Sequence, residues 1–497
     1  MRGIYTPVTQ IRRQVFAEIA RVAFEGEPVS SLEEIPYRII PGEVPAYRDS
    51  VFKERAIIGE RVRLGLGLPV RGAGEQGTIT GDLDLARLNE KFYEGALVNV
   101  IPFACNACEV KAYSVTDQCQ GCLAHPCVSV CPVKAISLVD GKSHIDKSKC
   151  IKCGRCKEIC PYSAIIKTER PCAAACGVDA IESDYLGRAT INHDKCVSCG
   201  QCLVSCPFAA IADKSQIFQL VQALKAPGKV IAEIAPAFVG QFGPMATPER
   251  VKKALLDLGF SDVYEVAIGA DLGAIEEAHH YAHKVATGEE PYFATSCCPS
   301  WSVMAKRDFP AVAPYVSSAL TPMVATARII KKEHPDARVV FIGPCAAKKL
   351  EAARRSVRSD VDFVVTFEEL MGMFVARGIE FGEEPPAPME DATSAGRGYA
   401  VAGGVAEAIS NCIRELYPEL EVKMDRAEGL KNCKKMLALA KAGKRNGYLM
   451  EGMACPGGCV AGAGTILPIS KAASAVRQFQ EAAKEKSPTE SAYHTAE

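Results

Sequence analysis

With 497 residues the chain is long enough for roughly two to four domains, and 58 basic against 59 acidic residues leave a formal net charge of −1. That balance excludes the electrostatic footprint of a nucleic-acid or anionic-membrane binder, and no apolar run approaches the roughly 18–20 residues that cross a bilayer. The N-terminus lacks the apolar core of a signal peptide, so the chain reads as soluble and cytoplasmic, with neither nucleic acid nor membrane among its partners.

Residues 1–100 contain no cysteine. The pattern predicts a helix over about 8–24, a proline-broken stretch "EIPYRIIPGEVPAYRD", and a second helical run "LDLARLNEKFYEGAL" over 83–97. These make a small helical segment with no assigned role.

Residues 101–212 hold sixteen of the 23 cysteines at tight C-x-x-C spacings, which in a reducing compartment argue for metal rather than disulfides. "KCIKCGRCKEICPYSAI" (149–165) and "KCVSCGQCLVSCPFAAI" (195–211) are copies of one frame, shifted by 46 residues. "HPCVSVCPVKAI" (125–136) and "RPCAAACGVDAI" (170–181) are a second matched pair shifted by 45, so a two-motif unit is duplicated. C-x-x-C-x-x-C-x-x-x-C-P is the bacterial ferredoxin run, in which the fourth thiolate serves the neighbouring cube; zinc knuckles do not need that ending. Crossed pairing places one 4Fe–4S cube on Cys119, Cys122, Cys127 and Cys160, another on Cys150, Cys153, Cys156 and Cys131, and a third on Cys196, Cys199, Cys202 and Cys176. A fourth takes Cys172 and Cys206, but the repeat puts Ala164 and Lys167 where its other ligands should stand, and Cys105 and Cys108 of "CNAC" are the unused pair that completes it. A rival grouping joins Cys105, Cys108, Cys119 and Cys122 in a separate zinc or iron site. About four accessory clusters in a row amount to a wire whose chemistry lies at its end.

From about 213 to 470 the texture becomes α/β. "KVIAEIAPAF", "RVVFIGPC", "VDFVVTF" and "GYLMEGMAC" read as short buried strands, separated by helical runs such as "TPERVKKALLDLG". "GEEPPAPMEDATSAGRG" (382–398) reads as a loop, and 471–497 as a polar tail, helical or loose. Cysteines stand at apparent strand ends in "TSCCPSW" (295–301), "GPCAAKKLE" (343–351) and "EGMACPGGCVAGAG" (451–464), the edge where an open α/β sheet places its site. Cys298, Cys345, Cys455 and Cys459 suffice for one more cube, leaving Cys297 over, and the glycines of "PGGCVAGAG" suit close approach to a bulky inorganic group. Cys412 and Cys433 match no motif and read as buried apolar residues.

Together these stretches resemble, in order, the three signature motifs of the iron-only (FeFe) hydrogenases over roughly residues 215–470. Serine after the proline of "TSCCPSW" and glycine in "GPC" are similar to the group B monomeric branch. The resemblance implies an α/β catalytic domain, two lobes with short parallel sheets, following α+β ferredoxin-like repeats. Between the lobes it implies an H-cluster, a cube bridged to a di-iron unit carrying CO, cyanide and an azadithiolate. Matched by position, Cys298, Cys345, Cys455 and Cys459 become cube ligands, with Cys459 the bridge. Lys348 becomes the donor to a cyanide, an exposed lysine beside Lys349 being the bland alternative. Ala235, Pro236 and Met453 line the di-iron pocket, although Met453 also suits plain core packing. Cys297 becomes the proton relay, a thiol of ordinary pKa about 8.5 being able to give and regain a proton near neutrality. Glu277 in "AIEEAHH" and Ser317 in "YVSSAL" continue the path, and His280 stands where an outer glutamate is usual. His280 can pass protons, or "HHYAH" is simply a helix face.

The implied activity is reversible reduction of protons to H2 in an anaerobic electron-transfer setting. Ferredoxin is the electron partner and maturation proteins supply the di-iron unit. Two other classes share the core. Hydrogenase-like iron–sulfur assembly proteins generally lose the relay cysteine and the cyanide-binding lysine, whereas Cys297 and Lys348 are both present here. Hydrogen sensors usually append a signalling domain, and no such segment is evident in the sequence.

Overall fold

A computed structural model describes residues 3–72, 74–88, 90, 95–382 and 387–494. The first helix, Pro7–Glu25, starts where Thr6 accepts from the Thr9 amide and Pro7 presets the first turn, and it ends at left-handed Gly26. Its apolar face is not a separate cap. Val15, Ile19, Val22 and Ala23 belong to the main core, and a Cβ on Gly372 of helix Phe367–Arg377 would stand 2.7 Å from Phe16 Cβ. Helix Val51–Gly65 is unanticipated. Four of its charged side chains, Glu54, Glu60, Arg61 and Arg63, are buried: Arg63 meets Asp82 at 2.5 Å and the Ile79 carbonyl at 3.0 Å, and Glu60 accepts from Arg71 at 2.7 Å. Of the run expected helical over 83–97, residues 89 and 91–94 lie outside the described residues. The rest holds only a 3₁₀ turn, Leu85–Arg87.

The cysteine-rich part is built of short antiparallel ribbons whose pairing repeats the duplication. Ala112–Val115 pairs with Ile165–Thr168 as Val98–Val100 pairs with Ile211–Asp213, and Ile136–Val139 pairs with Lys142–Ile145 as Ile181–Ser183 pairs with Ala189–Ile191. The duplication extends to backbone conformation. Lys134 and Asp179, Lys152 and Ser198, and Ser163 and Ala209 are matched non-glycine residues in the left-handed region, with φ between 49° and 58°. Amide-to-sulfur bonds also recur, from Ala135 to Cys131 and from Ala180 to Cys176, both 3.2 Å.

Among its described residues the remainder carries seven strands in two parallel sheets: β1 Val230–Ile234, β2 Asp262–Glu265, β3 Tyr292–Ala294, β4 Arg338–Gly343, β5 Phe363–Thr366, β6 Lys423–Glu428 and β7 Tyr448–Met453. Strand order is β2-β1-β4-β5 in one sheet and β3-β7-β6 in the other. Strands buried on both faces read as continuous apolar runs, which is why β1, β4, β5 and β7 are visible in the sequence. The polar edge strand β6, "KMDRAE", and the brief β2 and β3 are not. Two expectations are corrected. The stretch 382–398, of which 383–386 lie outside the described residues, includes helix Ser394–Gly398, capped by Thr393 and anchored where Asp271 accepts the Thr393 hydroxyl at 2.6 Å. The expected tail begins within helix Ile469–Glu481, which belongs to the core: Phe479 packs edge-on to Phe238 at 5.8 Å and under the Arg397 guanidinium. Amphipathic spacing of Ala472, Val476 and Phe479 accounts for this. No helix among the described residues is long and apolar enough to cross a membrane.

Candidate metal centre

Beyond the carboxyl ends of both sheets lies a largely apolar cavity. Ala235 and Pro236 after β1, Ala267 after β2, Cys297 and Cys298 after β3, Pro344 and Cys345 after β4, and Cys455 and Cys459 after β7 all line it. Each strand ends just before its functional residue, so two rigid sheets rather than a mobile loop fix the thiol positions. Cys298 and Cys345 cap the helices Pro299–Asp308 and Ala346–Ala352. Trp301 locks the first motif by donating to the Thr295 carbonyl at 2.8 Å, and Gly452 lets it: a Cβ there would stand 2.2 Å from the indole. The glycines of the third motif are used differently from expectation. They line the cavity, but what forbids a side chain at Gly458 and Gly462 is protein backbone, the Ala402 nitrogen at 2.4 Å and the Pro344 oxygen at 2.3 Å.

Of the non-ligand candidates, Ala235, Pro236, Cys297, Lys348 and Met453 line the same cavity, whereas Glu277, Ser317 and His280 are not among its lining residues. Burial pushes the Cys297 thiol well above its ordinary value, and Cys298, Glu451 and Glu277 add to the shift. Lys348 is buried in the wall and its Nζ lies 2.6 Å from Glu351, which rules out the exposed-lysine reading; Lys349 is also buried, held by Asp213 at 2.7 Å and Glu369 at 2.9 Å. Met453, 2% exposed, lines the cavity as well as packing in the core. Glu277, on helix Ala267–His280, is pushed up to about 7 by burial, against a hydrogen bond from Ser317. His280 Nε2 lies 3.0 Å from Glu290 Oε2 and its ring stands 4.6 Å from that of Phe293, at the half-exposed rim. Three residues escaped the sequence reading: half-buried Glu290 as that partner, buried Tyr399 in the cavity wall, and buried Glu233 in the middle of β1. Among the described residues both Glu233 carboxylate oxygens lack a hydrogen-bond partner, and burial pushes it well above its ordinary value against the pull of Lys348.

The accessory cysteines fall into groups. Cys119, Cys122, Cys127 and Cys160 line one small cavity. The Cys172 and Cys108 thiols, both raised by burial, are raised further by Cys206 and Cys105, which groups Cys105, Cys108, Cys172 and Cys206. Cys202 sits with Cys199, Cys196 and Cys176, and reaches Cys172 beyond. This third group adjoins the main cavity: Cys199 is among the groups acting on Cys455, and Gln201 donates to Cys455 Sγ at 3.1 Å. Ser300, the residue after the first motif's proline, donates to the Val197 carbonyl at 2.9 Å and so clamps the two parts together. Among the described residues no three His, Cys, Asp or Glu side chains converge on the point a single metal ion would occupy. Four thiolates spaced around a many-atom cluster are the donor set that fits, because each sulfur then meets its own iron.

Residues 228–463 match the family described as iron only hydrogenase large subunit, C-terminal domain, residues 143–166 a 4Fe-4S binding domain, and residues 166–217 the LdpA Fe-S cluster-binding domain. The chain therefore carries a hydrogenase-like iron–sulfur domain behind iron–sulfur-binding segments. It is 29% identical over 378 residues to the NADP-reducing hydrogenase subunit HndD of Solidesulfovibrio fructosivorans, covering 64% of this chain and 63% of that one. It is 28% identical over 282 residues to a probable cytosolic Fe-S cluster assembly factor of Aedes aegypti, covering 46% and 58%. The chain thus spans less than two thirds of the length of either. Among solved structures, a variant of FeFe-hydrogenase HydA1 from Chlamydomonas reinhardtii is 24% identical, with a TM-score of 0.45 over 53% of this chain and 87% of that one.

Proposed function

We propose that the chain is an FeFe hydrogenase of the group B type, interconverting protons and H2 in the cytoplasm with electrons exchanged with ferredoxin. The reading rests on one observation above others: two groups that cluster ligation alone does not need, the Cys297 thiol and the Lys348 ammonium, face the same apolar cavity as four strand-end cysteines. Cys298, Cys345, Cys455 and Cys459 would hold the cube of an H-cluster, whose di-iron unit supplies the open metal position at which protons and electrons meet. Lys348 is placed to donate to an anionic ligand of that unit, buried enough for the bond to be strong. Cys297 holds a proton on Sγ at the cavity wall, and Glu277, poised near neutrality, exchanges it with Ser317. His280 and Glu290 form an acid–base pair at the rim that serves as the outer end of the path. The four cysteine groups, with the Cys176 group nearest the cavity, would carry electrons through four accessory cubes.

The Aedes relative favours a second reading, an iron–sulfur assembly factor that carries no di-iron unit. Infrared spectroscopy after maturation separates the two. CO and CN stretching bands are expected for the hydrogenase, and their absence after exposure to a loaded di-iron source would leave the assembly reading.

A further inference from the structure

The duplication gives each half of the cysteine-rich part the same face, and the two copies use it differently. The shift of 46 residues matches Ile151, Lys152, Cys153, Arg155 and Lys157 of the first copy to Val197, Ser198, Cys199, Gln201 and Leu203 of the second. Local geometry is shared: the Lys152 amide donates to Cys150 Sγ and the Ser198 amide to Cys196 Sγ, both at 3.4 Å. In the second copy this face is pressed against the catalytic part, where Gln201 donates to Cys455 and the Val197 carbonyl accepts from Ser300. In the first copy the same face is open. Ile151 is 58% exposed against 1% for Val197, and Cys153 is the one exposed cysteine of the 23. The chemistry of the face has changed with its exposure. Within 149–159, Lys149, Lys152, Arg155 and Lys157 stand exposed against Glu158 alone, whereas 195–205 keeps Lys195 as its single charge. Lys149 pairs with Asp146, but among the described residues Lys152, Arg155 and Lys157 have no acidic partner.

Resting on the hydrogenase reading and deepening it, we propose that the basic face around Cys153 is the docking surface for a small acidic ferredoxin. The cube expected on Cys131, Cys150, Cys153 and Cys156 is then the port by which electrons enter or leave the chain. The second copy uses this face to bring its cysteine group up to the main cavity, and the first copy turns the equivalent face to solvent. Unpaired cations around an exposed cluster ligand draw an anionic carrier in at low salt and repel a basic one, which selects the partner by charge. One electron crosses per encounter. The carrier's cluster is oxidised by one electron and the cube at Cys153 is reduced by one, with no bond made or broken. Two such encounters and two protons account for one H2, and the reverse for its oxidation.

Lys152→Glu, Arg155→Glu and Lys157→Glu together reverse the face without touching a thiol. The full chain carrying its accessory clusters is mixed with a reduced acidic 2Fe–2S ferredoxin, whose spin-resonance signal differs from that of a cube, and loss of that signal is followed in rapidly frozen samples. The wild-type rate should fall as salt is added. The triple variant should be slower by about tenfold or more at low salt, and its rate should rise with salt. Reduction by a zwitterionic sulfonated viologen, which carries no net charge and needs no docking face, should be the same in both. Equal ferredoxin rates in variant and wild type overturn the proposal. If the reversal costs iron, the neutral triple variant Lys152→Gln, Arg155→Gln and Lys157→Gln carries the test: its salt dependence should flatten, and an unchanged one overturns the proposal. Carbodiimide should join ferredoxin to the wild-type chain through Lys152 or Lys157, and crosslinks confined to lysines of the catalytic part overturn it too. None of these readouts needs a di-iron unit. Protein that never shows CO and CN bands would therefore refute the hydrogenase reading, while the ferredoxin rates still judge the docking face.

Discussion

Glu277→Gln is the perturbation that best weighs the buried proton path. Glu277 is 5% exposed and its carboxyl is raised from 4.5 to about 7, chiefly by burial. A shift of about 2.5 units corresponds to about 3 kcal/mol between its protonated and ionised states. The folded state therefore binds a proton that the unfolded chain has lost between pH 4.5 and 7. That stability is fully present below the unfolded value and is lost as pH rises through about 7. Glutamine keeps the shape and never ionises. The variant should match wild type near pH 4.5 and exceed it by about 3 kcal/mol at pH 8, roughly 6 °C in melting temperature for a domain of this size. Thermal unfolding followed by fluorescence at the two pH values, on the full chain under anaerobic conditions, measures the difference. Wild type and Glu277→Gln curves with the same pH dependence would refute the reasoning, because Glu277 would then be ionised at no cost. The matured variant should also lose most of its turnover while gaining stability at pH 8, which a merely structural carboxyl would not do.

Cys297→Ala should retain the iron of the main cavity yet stop H2 turnover, whereas Cys298→Ala should lose that iron; iron content and gas production together check both. Glu233→Met replaces two unpartnered buried oxygens by a side chain of similar size and should raise stability by about 1–3 kcal/mol, read as a higher midpoint in denaturant. A lower midpoint would mean that Glu233 is paired after all. Cys108→Ser should remove one accessory cluster of four iron atoms and leave the others, as an iron and sulfide assay would show; bound zinc in the wild-type chain would instead restore the rival site.

How much of this was legible depended on what kind of physical constraint each residue obeys. Thiolate spacing is a local signal: Cys119, Cys122, Cys127 and Cys160, which it singles out as a set, line one small cavity, and the strand-end cysteines of the three motifs line another. The sheet strands were legible where burial on both faces made them apolar, as at "KVIAEI" and "RVVFIG". The helix Val51–Gly65 was not, because charges buried in compensating pairs look the same in sequence as charges in water. Glu290 was hidden for a geometric reason: it follows the wide turn Tyr281–Val285, and only that turn brings it back to His280. Tyr399 sits between glycine-rich stretches that read as loop, and an aromatic residue beside "GRG" carries no signal that it faces the cavity. Glu233 was hidden in plain view. A lone carboxylate inside "VIAEI" is the local contradiction of pattern that marks either an error or a site, and here it stands on the strand whose end forms the cavity wall.

The cysteine doublet shows why the arrangement needs its buried cation. Cys298, Cys345, Cys455 and Cys459 are all raised by burial; Cys345 is raised further by Cys298, and Cys455 and Cys459 are raised further by both Cys345 and Cys298. Without metal the cavity is therefore a pocket of neutral thiols, and seating a cluster must expel protons from four of them. Among the described residues Lys348 is the one cationic side chain in the cavity wall, and its positive charge opposes that cost. In the proposed hydrogenase reading Cys297, the fifth thiol, pushed up by the same burial and by its neighbour, would retain its proton when Cys298 bound iron. The doublet would then divide its labour by charge: at one strand end, the sulfur facing iron would surrender its proton and the adjacent one would keep it.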